Sequence, residues 1–130
     1  MKMKRLTAPK FWHVNKKSTK WVISPRPGPH KKVESIPLTI LMRDILKAVE
    51  KAKEARLLIK SGEVIVDGKA RKDHKYAVGL MDAISIPKLG KSYRVVPSKT
   101  GLEVIEIENS EASKKICRIE DKTVVKGGKV

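Results

Sequence analysis

The stretch Leu38-Thr39-Ile40-Leu41-Met42-Arg43-Asp44-Ile45-Leu46-Lys47-Ala48-Val49, followed by Ala52-Lys53-Glu54-Ala55-Arg56-Leu57-Leu58-Ile59-Lys60-Ser61-Gly62-Glu63-Val64-Ile65-Val66-Asp67-Gly68-Lys69, decides the fold because its apolar period changes along the way. Leu38, Leu41, Met42, Ile45, Leu46 and Val49 recur at steps of three and four, the spacing of one helical face. Ser35 is placed to cap this helix, with Pro37 in or near the first turn, where a missing N–H costs little. Arg43, Lys47 and Lys51 then align on its solvent side. The next stretch predicts a helix over 52–60 with Ala55, Leu58 and Ile59 inward and Lys53, Arg56 and Lys60 outward, closed by Gly62 in a left-handed conformation. Glu63-Val64-Ile65-Val66 has β-branched character, and Asp67-Gly68 is a two-residue hairpin signal leading into Lys69-Ala70-Arg71. Ala83-Ile84-Ser85-Ile86 predicts another strand, ending before Pro87. The class is therefore α+β, with two or three short helices on a small antiparallel sheet across 37–87.

Working outward, 130 residues leave room for one ordinary domain, or a small module with an extension on each side. Thirty Lys and Arg stand against 14 Asp and Glu, a formal charge of +16, more than solubility requires, and such an excess seeks a polyanion. No run approaches the roughly 20 apolar residues of a spanning helix, and no apolar signal-peptide core follows the N-terminus. The expectation is a soluble, cytoplasmic protein with nucleic acid as its partner and no membrane.

The charge is uneven: residues 1–36 carry ten Lys or Arg and one acid, 37–75 carry ten and six, and 76–130 carry ten and seven. The first segment also holds Pro9, Pro25, Pro27, Gly28 and Pro29 without an apolar period, which predicts an extended arm, weakly structured alone. Phe11, Trp12 and Trp21 are three of the five aromatic residues and lie among Lys10, Lys16, Lys17, Lys20, Arg26, Lys31 and Lys32. Rings interleaved with cations suit irregular RNA, with bases on the rings and phosphates on the ammonium groups. Trp12 and Trp21 could equally anchor the arm on its own module; the sequence leaves both readings open. Because the arm is expected to supply stacking and reach, deleting residues 1–32 is expected to cost more affinity for folded RNA than for a plain duplex.

In the middle segment, Lys53, Arg56 and Lys60 on a helix and Lys69, Arg71, Lys72 and Lys75 near the hairpin allow a continuous cationic groove. Such a surface would read the edge of an A-form duplex mainly by shape. Isolated, the same helix would be a solvated face partnered by Glu50 and Glu54; the uncompensated total favours RNA.

The stretch from Pro37 to about Pro87, with its first helix, Glu54-Ala55-Arg56, Gly62, the Val-rich strand and the turn before Lys69, resembles the S-four RNA-binding domain. The flanks Lys4-Arg5-Leu6-Thr7-Ala8-Pro9-Lys10-Phe11-Trp12, Ser24-Pro25-Arg26-Pro27-Gly28-Pro29-His30-Lys31 and Gly79-Leu80-Met81-Asp82-Ala83-Ile84-Ser85-Ile86 look like the archaeal and eukaryotic small-subunit ribosomal protein family S-four-e, over nearly the whole chain. The resemblance implies a structural constituent of the small ribosomal subunit, located on the ribosome, with small-subunit ribosomal RNA and neighbouring ribosomal proteins as partners and no small-molecule substrate. It also implies an arm threaded along RNA. Two departures stand out. The leader is only Met1-Lys2-Met3, and the chain stops at Gly127-Gly128-Lys129-Val130, where the family continues into a further β-barrel, so a truncated product is expected.

Residues 88–130 read as a β-rich central region. Ser92 to Pro97 and Leu102 to Ile107 predict a hairpin around the four-residue loop Ser98-Lys99-Thr100-Gly101. Ser110 to Lys115 can form one helical turn, and strands are expected around Ile116 to Ile119 and Lys122 to Val125. Glu103, Glu106, Glu108 and Glu111 make this the least basic part, suited to protein contacts or solvent. Cys117, between Ile116 and Ile119, reads as a small buried thiol. His13, His30 and His74 are scattered and form no metal-ligand pair with it, so neither metal nor cofactor is expected. Gly90-Lys91-Ser92 resembles the end of a phosphate-binding loop, but Ser85 stands where that loop needs glycine, leaving a strand connection. No nucleophile-base pair stands out, and an enzyme carrying this module as an appendage would need far more chain. A free ribosome-associated RNA-binding factor is the other alternative.

Overall fold

The computed structural model describes residues 3–130; Met1 and Lys2, part of the short leader, lie outside the described residues. In chain order the elements are β1 (Met3–Lys4), β2 (Trp21–Val22), β3 (Ile36–Pro37), α1 (Leu38–Ile40, widening into a π turn over Leu41–Ile45), α2 (Ala52–Lys60), β4 (Ile65–Val66), β5 (Lys69–Ala70), β6 (Ala77–Val78), β7 (Ala83–Ile86), β8 (Lys91–Ser98) and β9 (Gly101–Ile107). Short 3₁₀ turns occupy Arg5–Thr7, Lys10–Trp12, Lys32–Glu34 and Glu111–Ser113. β5-β4-β7-β8-β9 form one antiparallel sheet, while β1 pairs with β2 and β3 with β6. The α+β class expected from the sequence is the one found.

α2 covers the span its period predicts. Glu54 Oε2 accepts from the Glu50 and Lys51 N–H groups, satisfying backbone donors before the first turn. At the other end Gly62 takes φ +83°. The hairpin also follows its residues: Asp67 and Gly68 both have positive φ (+51° and +80°), which joins Ile65↔Ala70 and Val66↔Lys69 through a two-residue turn of the primed kind.

α1 departs from expectation. The helical period runs to Val49, but Leu46 N–H donates to Leu41 C=O, Ala48 N–H donates to Met42 C=O, and Lys47 has φ +53°. This six-residue closure around a left-handed residue ends the helix about one turn early. Lys47 is therefore past the helix and Lys51 is the residue before α2, so the row Arg43-Lys47-Lys51 does not exist. Ser35 is not the cap either: its hydroxyl donates to Lys32 C=O. The free N–H groups of Leu38 and Thr39 instead reach the carbonyls of Tyr76 and His74.

The arm does not stand clear of the module. Phe11 and Trp12 are buried, Trp12 completely, and they share one core with Ile36, Leu38, Ile40, Leu41, Met42, Ala55, Ile59, Val64, Val66, Ile84, Ile86 and Val95. Trp12 Nε1–H donates to Ser35 C=O at 2.8 Å, so its polar atom is satisfied inside the core. Residues from all three segments thus bury against one another, and the main sheet runs across Pro87 through the β7–β8 pairing.

In the C-terminal part, β8 and β9 pair along their length, and the loop is two residues, Lys99 and Thr100, because Ser98 and Gly101 already pair. The strands expected around 116–119 and 122–125 are not formed; among the described residues this end has only a bridge between Val125 and Lys129. Cys117 is exposed, against the buried thiol expected, because the segment holding it has no sheet to join. The glycine at 90 lies in the 87–90 turn between β7 and β8, a strand connection as expected.

Candidate nucleic-acid interface

Two adjoining clefts gather cations from four separate parts of the chain. One, of about 690 Å³, is lined by the Pro-rich segment from Ser24 to Lys32 together with Lys75, and so brings Arg26, Lys31, Lys32 and Lys75 together. The segment is held there by backbone: Arg26 N–H donates to Lys75 C=O at 2.9 Å. The second cleft, of about 350 Å³, is lined by Arg5, Trp21, Val22, Ile23, Ser24, Arg43, Ala52, Arg56 and Lys75. Ser24 and Lys75 belong to both, making one cationic face.

Local folding explains the convergence. Ala52 and Arg56, four apart on α2, turn the same side to the cleft, and Lys60 continues that row. The early end of α1 leaves Arg43 near its last turn, where its guanidinium pairs with Asp44 at 2.9 Å. Pairing of Lys4 with Trp21 carries the indole to the rim, and Arg5 follows immediately. Arg5 Nη1 donates to Asn15 C=O, which tethers the turn bearing Lys16 and Lys17.

The field at this face is registered by His74. Burial first, then the positive charges of Arg56, Lys75 and Arg26, hold its imidazole below the usual 6.5, with only Asp73 opposing. Compensation is thin. Arg26 is paired with Asp73 at 3.4 Å in an exposed setting, and among the described residues no ion pair engages Lys53, Arg56 or Lys60. Glu50 and Glu54, the expected partners of those cations, are not; Glu54 is turned back to the start of its helix.

Toward the hairpin, Lys72 packs near Gly62 at the end of α2, extending the face from Lys60. Lys69 is exposed on β5. Arg71 is committed to packing: its guanidinium lies 4.8 Å from the centre of the Tyr76 ring. Lys53 is exposed beside Arg56 on α2. Lys10 is exposed but lines neither cleft. Lys47 faces a different hollow with Asp44 and Glu103, away from the cationic face. Trp12, one of the expected RNA contacts, is a core residue and presents no ring to solvent.

Sequence reading missed Arg5 and left Trp21 open between stacking on RNA bases and anchoring the arm. Arg5 is buried, and its Nε has no hydrogen-bond partner among the described residues. Trp21 is 43% exposed, with Lys20 Nζ 5.1 Å from its ring centre. Alternation across 21–24, with Val22 and Ser24 buried, was the signal available for an outward Trp21; nothing local marks Arg5.

A third cluster lies elsewhere. Asp82, buried, accepts from Gly79 N–H at 3.0 Å, lies 2.9 Å from His30 Nε2 and receives Lys115 Nζ at 2.7 Å. Lys115 also reaches Asp67 at 2.9 Å. Arg94 donates to the carbonyls of Met81, Glu111 and Lys114. These contacts tie the arm and the C-terminal segment to the sheet. Among the described residues no group of three or more His, Cys, Asp or Glu could hold a metal, and no helix is long and apolar enough to cross a membrane.

Comparison with known proteins gives two family matches: the RS4NT (NUC023) domain over residues 1–33, and Ribosomal family S4e over residues 89–130. The small ribosomal subunit protein eS4 of Caldivirga maquilingensis is 48% identical over 129 residues, covering 98% of this chain and 54% of the relative. The eS4 protein of Methanothermobacter thermautotrophicus is 47% identical over 128 residues, covering 98% and 53%. The chain thus spans about half the length of the curated relatives it matches. Among solved structures, the crystal structure of 30S ribosomal protein S4e from Thermoplasma acidophilum aligns with a TM-score of 0.57 at 38% identity, covering 72% of this chain and 48% of that one.

Proposed function

Because the chain belongs to the S4e family of ribosomal proteins, we propose that it is a structural, non-enzymatic constituent of the small ribosomal subunit that binds ribosomal RNA through its cationic face. The observation that carries the reading is the meeting of Arg5, Arg26, Arg43, Arg56, Lys31, Lys32 and Lys75 on two adjoining clefts. Cations drawn from an arm, two helices and a loop onto one side repel one another unless a polyanion lies against them. The S-four-like segment 37–87 supplies Arg43, Arg56, Lys60, Lys72 and Lys75; the arm 1–36 supplies Arg5, Arg26, Lys31 and Lys32, with Lys16 and Lys17 tethered beside Arg5. The 88–130 region, with Glu103, Glu106, Glu108 and Glu111 exposed along and after β9, suits neighbouring ribosomal proteins better than RNA. The location that follows is the ribosome in the cytoplasm.

The test is charge reversal on α2. Lys53→Glu, Arg56→Glu and Lys60→Glu together are expected to weaken binding to small-subunit ribosomal RNA at least a hundred-fold while circular dichroism stays unchanged, since all three side chains are exposed. Undiminished RNA binding by a folded triple variant refutes the reading. In cells, the protein is expected to stay with small subunits through a high-salt wash; release would mark a transient ribosome-associated factor instead.

A further inference from the structure

We propose that His30 is a positioning residue for RNA binding: its ring latches the Pro-rich segment to the body of the protein, and that latch holds Lys31 and Lys32 at the cationic face. The inference rests on the RNA-binding reading above and adds how that face keeps its shape.

Burial along the segment singles out one anchor. Among the described residues from Arg26 to Glu34, His30 alone is not exposed, its side chain keeping 21% of its surface. None of these residues joins the apolar core. The segment is fixed at its start, where Arg26 N–H donates to Lys75 C=O, and at its end, where Ile36 and Pro37 pair with Val78 and Ala77. Between those points, the one hydrogen bond among the described residues that leaves the arm is at His30, whose Nε2 lies 2.9 Å from Asp82 Oδ2.

The seat is built for a ring. Asp82 is buried and is itself held by Gly79 N–H at 3.0 Å and by Lys115 Nζ at 2.7 Å, so it is a fixed point beside β7. Gly79 has no side chain, and a Cβ there would stand among Cγ, Nδ1 and Cδ2 of His30. The imidazole thus occupies the space that any other residue at 79 would fill. From this anchor the cations follow directly. Lys31 is the next residue, Glu34 N–H donates to its carbonyl at 3.0 Å, and the Ser35 hydroxyl donates to that of Lys32 at 3.2 Å. Pro25, Pro27 and Pro29 have fixed φ and leave the approach to His30 few alternative paths. With the ring released, Lys31 and Lys32 sit on an exposed strap tied only at Arg26 and β3, and the entropy of ordering that strap falls on RNA binding.

The experiment uses the full chain, transcribed small-subunit ribosomal RNA and a salt titration of affinity, with circular dichroism to establish that each variant is folded. His30→Ala is expected to weaken binding about ten-fold and to lower the salt slope by roughly 1, as neutralising Lys31 and Lys32 together does. Adding Lys31→Gln and Lys32→Gln to His30→Ala is then expected to weaken binding by less than about two-fold more, because the latch acts through those two residues. Gly79→Ala alters no cation and keeps the N–H that Asp82 accepts, yet it is expected to reproduce the loss by displacing the ring, and it carries the test if His30→Ala does not fold. His30→Gln, whose amide N–H can reach Asp82, is expected to retain most of the affinity. Wild-type affinity and slope in folded His30→Ala or Gly79→Ala, or losses that simply multiply in the combined variant, overturn the latch and leave the RNA-binding face standing. If the wild-type protein does not bind that RNA, or if Arg56→Glu leaves binding unchanged, the underlying reading fails as well.

Discussion

Asp82 shows how one residue can organise three segments. It is a buried carboxyl group, which is tolerated only when its oxygens are paired and hydrogen-bonded. Here the partners come from the arm (His30), the loop before β7 (Gly79) and the C-terminal segment (Lys115). The coupling of Lys115 to Asp67 and Asp82 has a defined pH signature. Burial alone would lower the Lys115 ammonium, but hydrogen bonds to Asp82 and Asp67 outweigh it and raise its value above 10.5. A raised value in the fold means that this stabilisation is complete below 10.5 and lost as pH rises through the folded value. For Asp67, burial pushes the carboxyl up, but the Ala83 N–H and Lys115 overcome it and hold it below 3.8. Its contribution is complete above 3.8 and disappears as pH falls through the folded value. Urea denaturation across alkaline pH is therefore expected to show a decline in stability above 10.5 that Lys115→Met removes. A variant retaining the full decline would show that Lys115 is not its source.

At the scale of elements, α1 is where local pattern and structure part company. Its apolar residues keep helical spacing to Val49, yet the backbone closes around Lys47 with φ +53°. Side chains other than glycine and asparagine are strained there, by about 1 kcal/mol. Lys47→Gly is accordingly expected to stabilise the protein by about 0.5–1 kcal/mol in urea denaturation. Since Lys47 lies off the cationic face, this variant is expected to bind RNA as before. A loss of stability would place the helix end elsewhere. α2 behaved otherwise: its period, its outward cations and its closing glycine were all legible, because each is fixed by contacts within a dozen residues. The 67–68 turn was legible for the same reason. The early end of α1 was not, because it depends on how the chain must turn to lay α2 against the same core.

For the molecule as a whole, the arm is both a core component and part of the cationic face. Burial of Phe11 and Trp12 makes deletion of residues 1–32 a test of folding, since removing a buried tryptophan alone costs about 3–5 kcal/mol. The expected outcome of that deletion is loss of the cooperative unfolding transition, not a selective loss of affinity. Neutralising Lys31 and Lys32 instead keeps the core and tests the face alone. With roughly 5–7 phosphates contacted at a slope near −0.7 each, log affinity for RNA is expected to fall by about 4 per tenfold rise in salt. Removing Lys31 and Lys32 is expected to lower that slope by roughly 1, and an unchanged slope would take both off the interface.

The sequence by itself determined the class, the family, α2, the hairpin and the large cationic excess, because period, turn chemistry and net charge are properties of neighbouring residues or of the total. Only the tertiary structure decided which cations share a face, that Trp12 belongs to the core while Trp21 stands at a cleft, and that Arg5 and Lys115 matter. Those are distances between residues far apart in the chain, set by how arm, helices and sheet pack around one core. No local pattern encodes them.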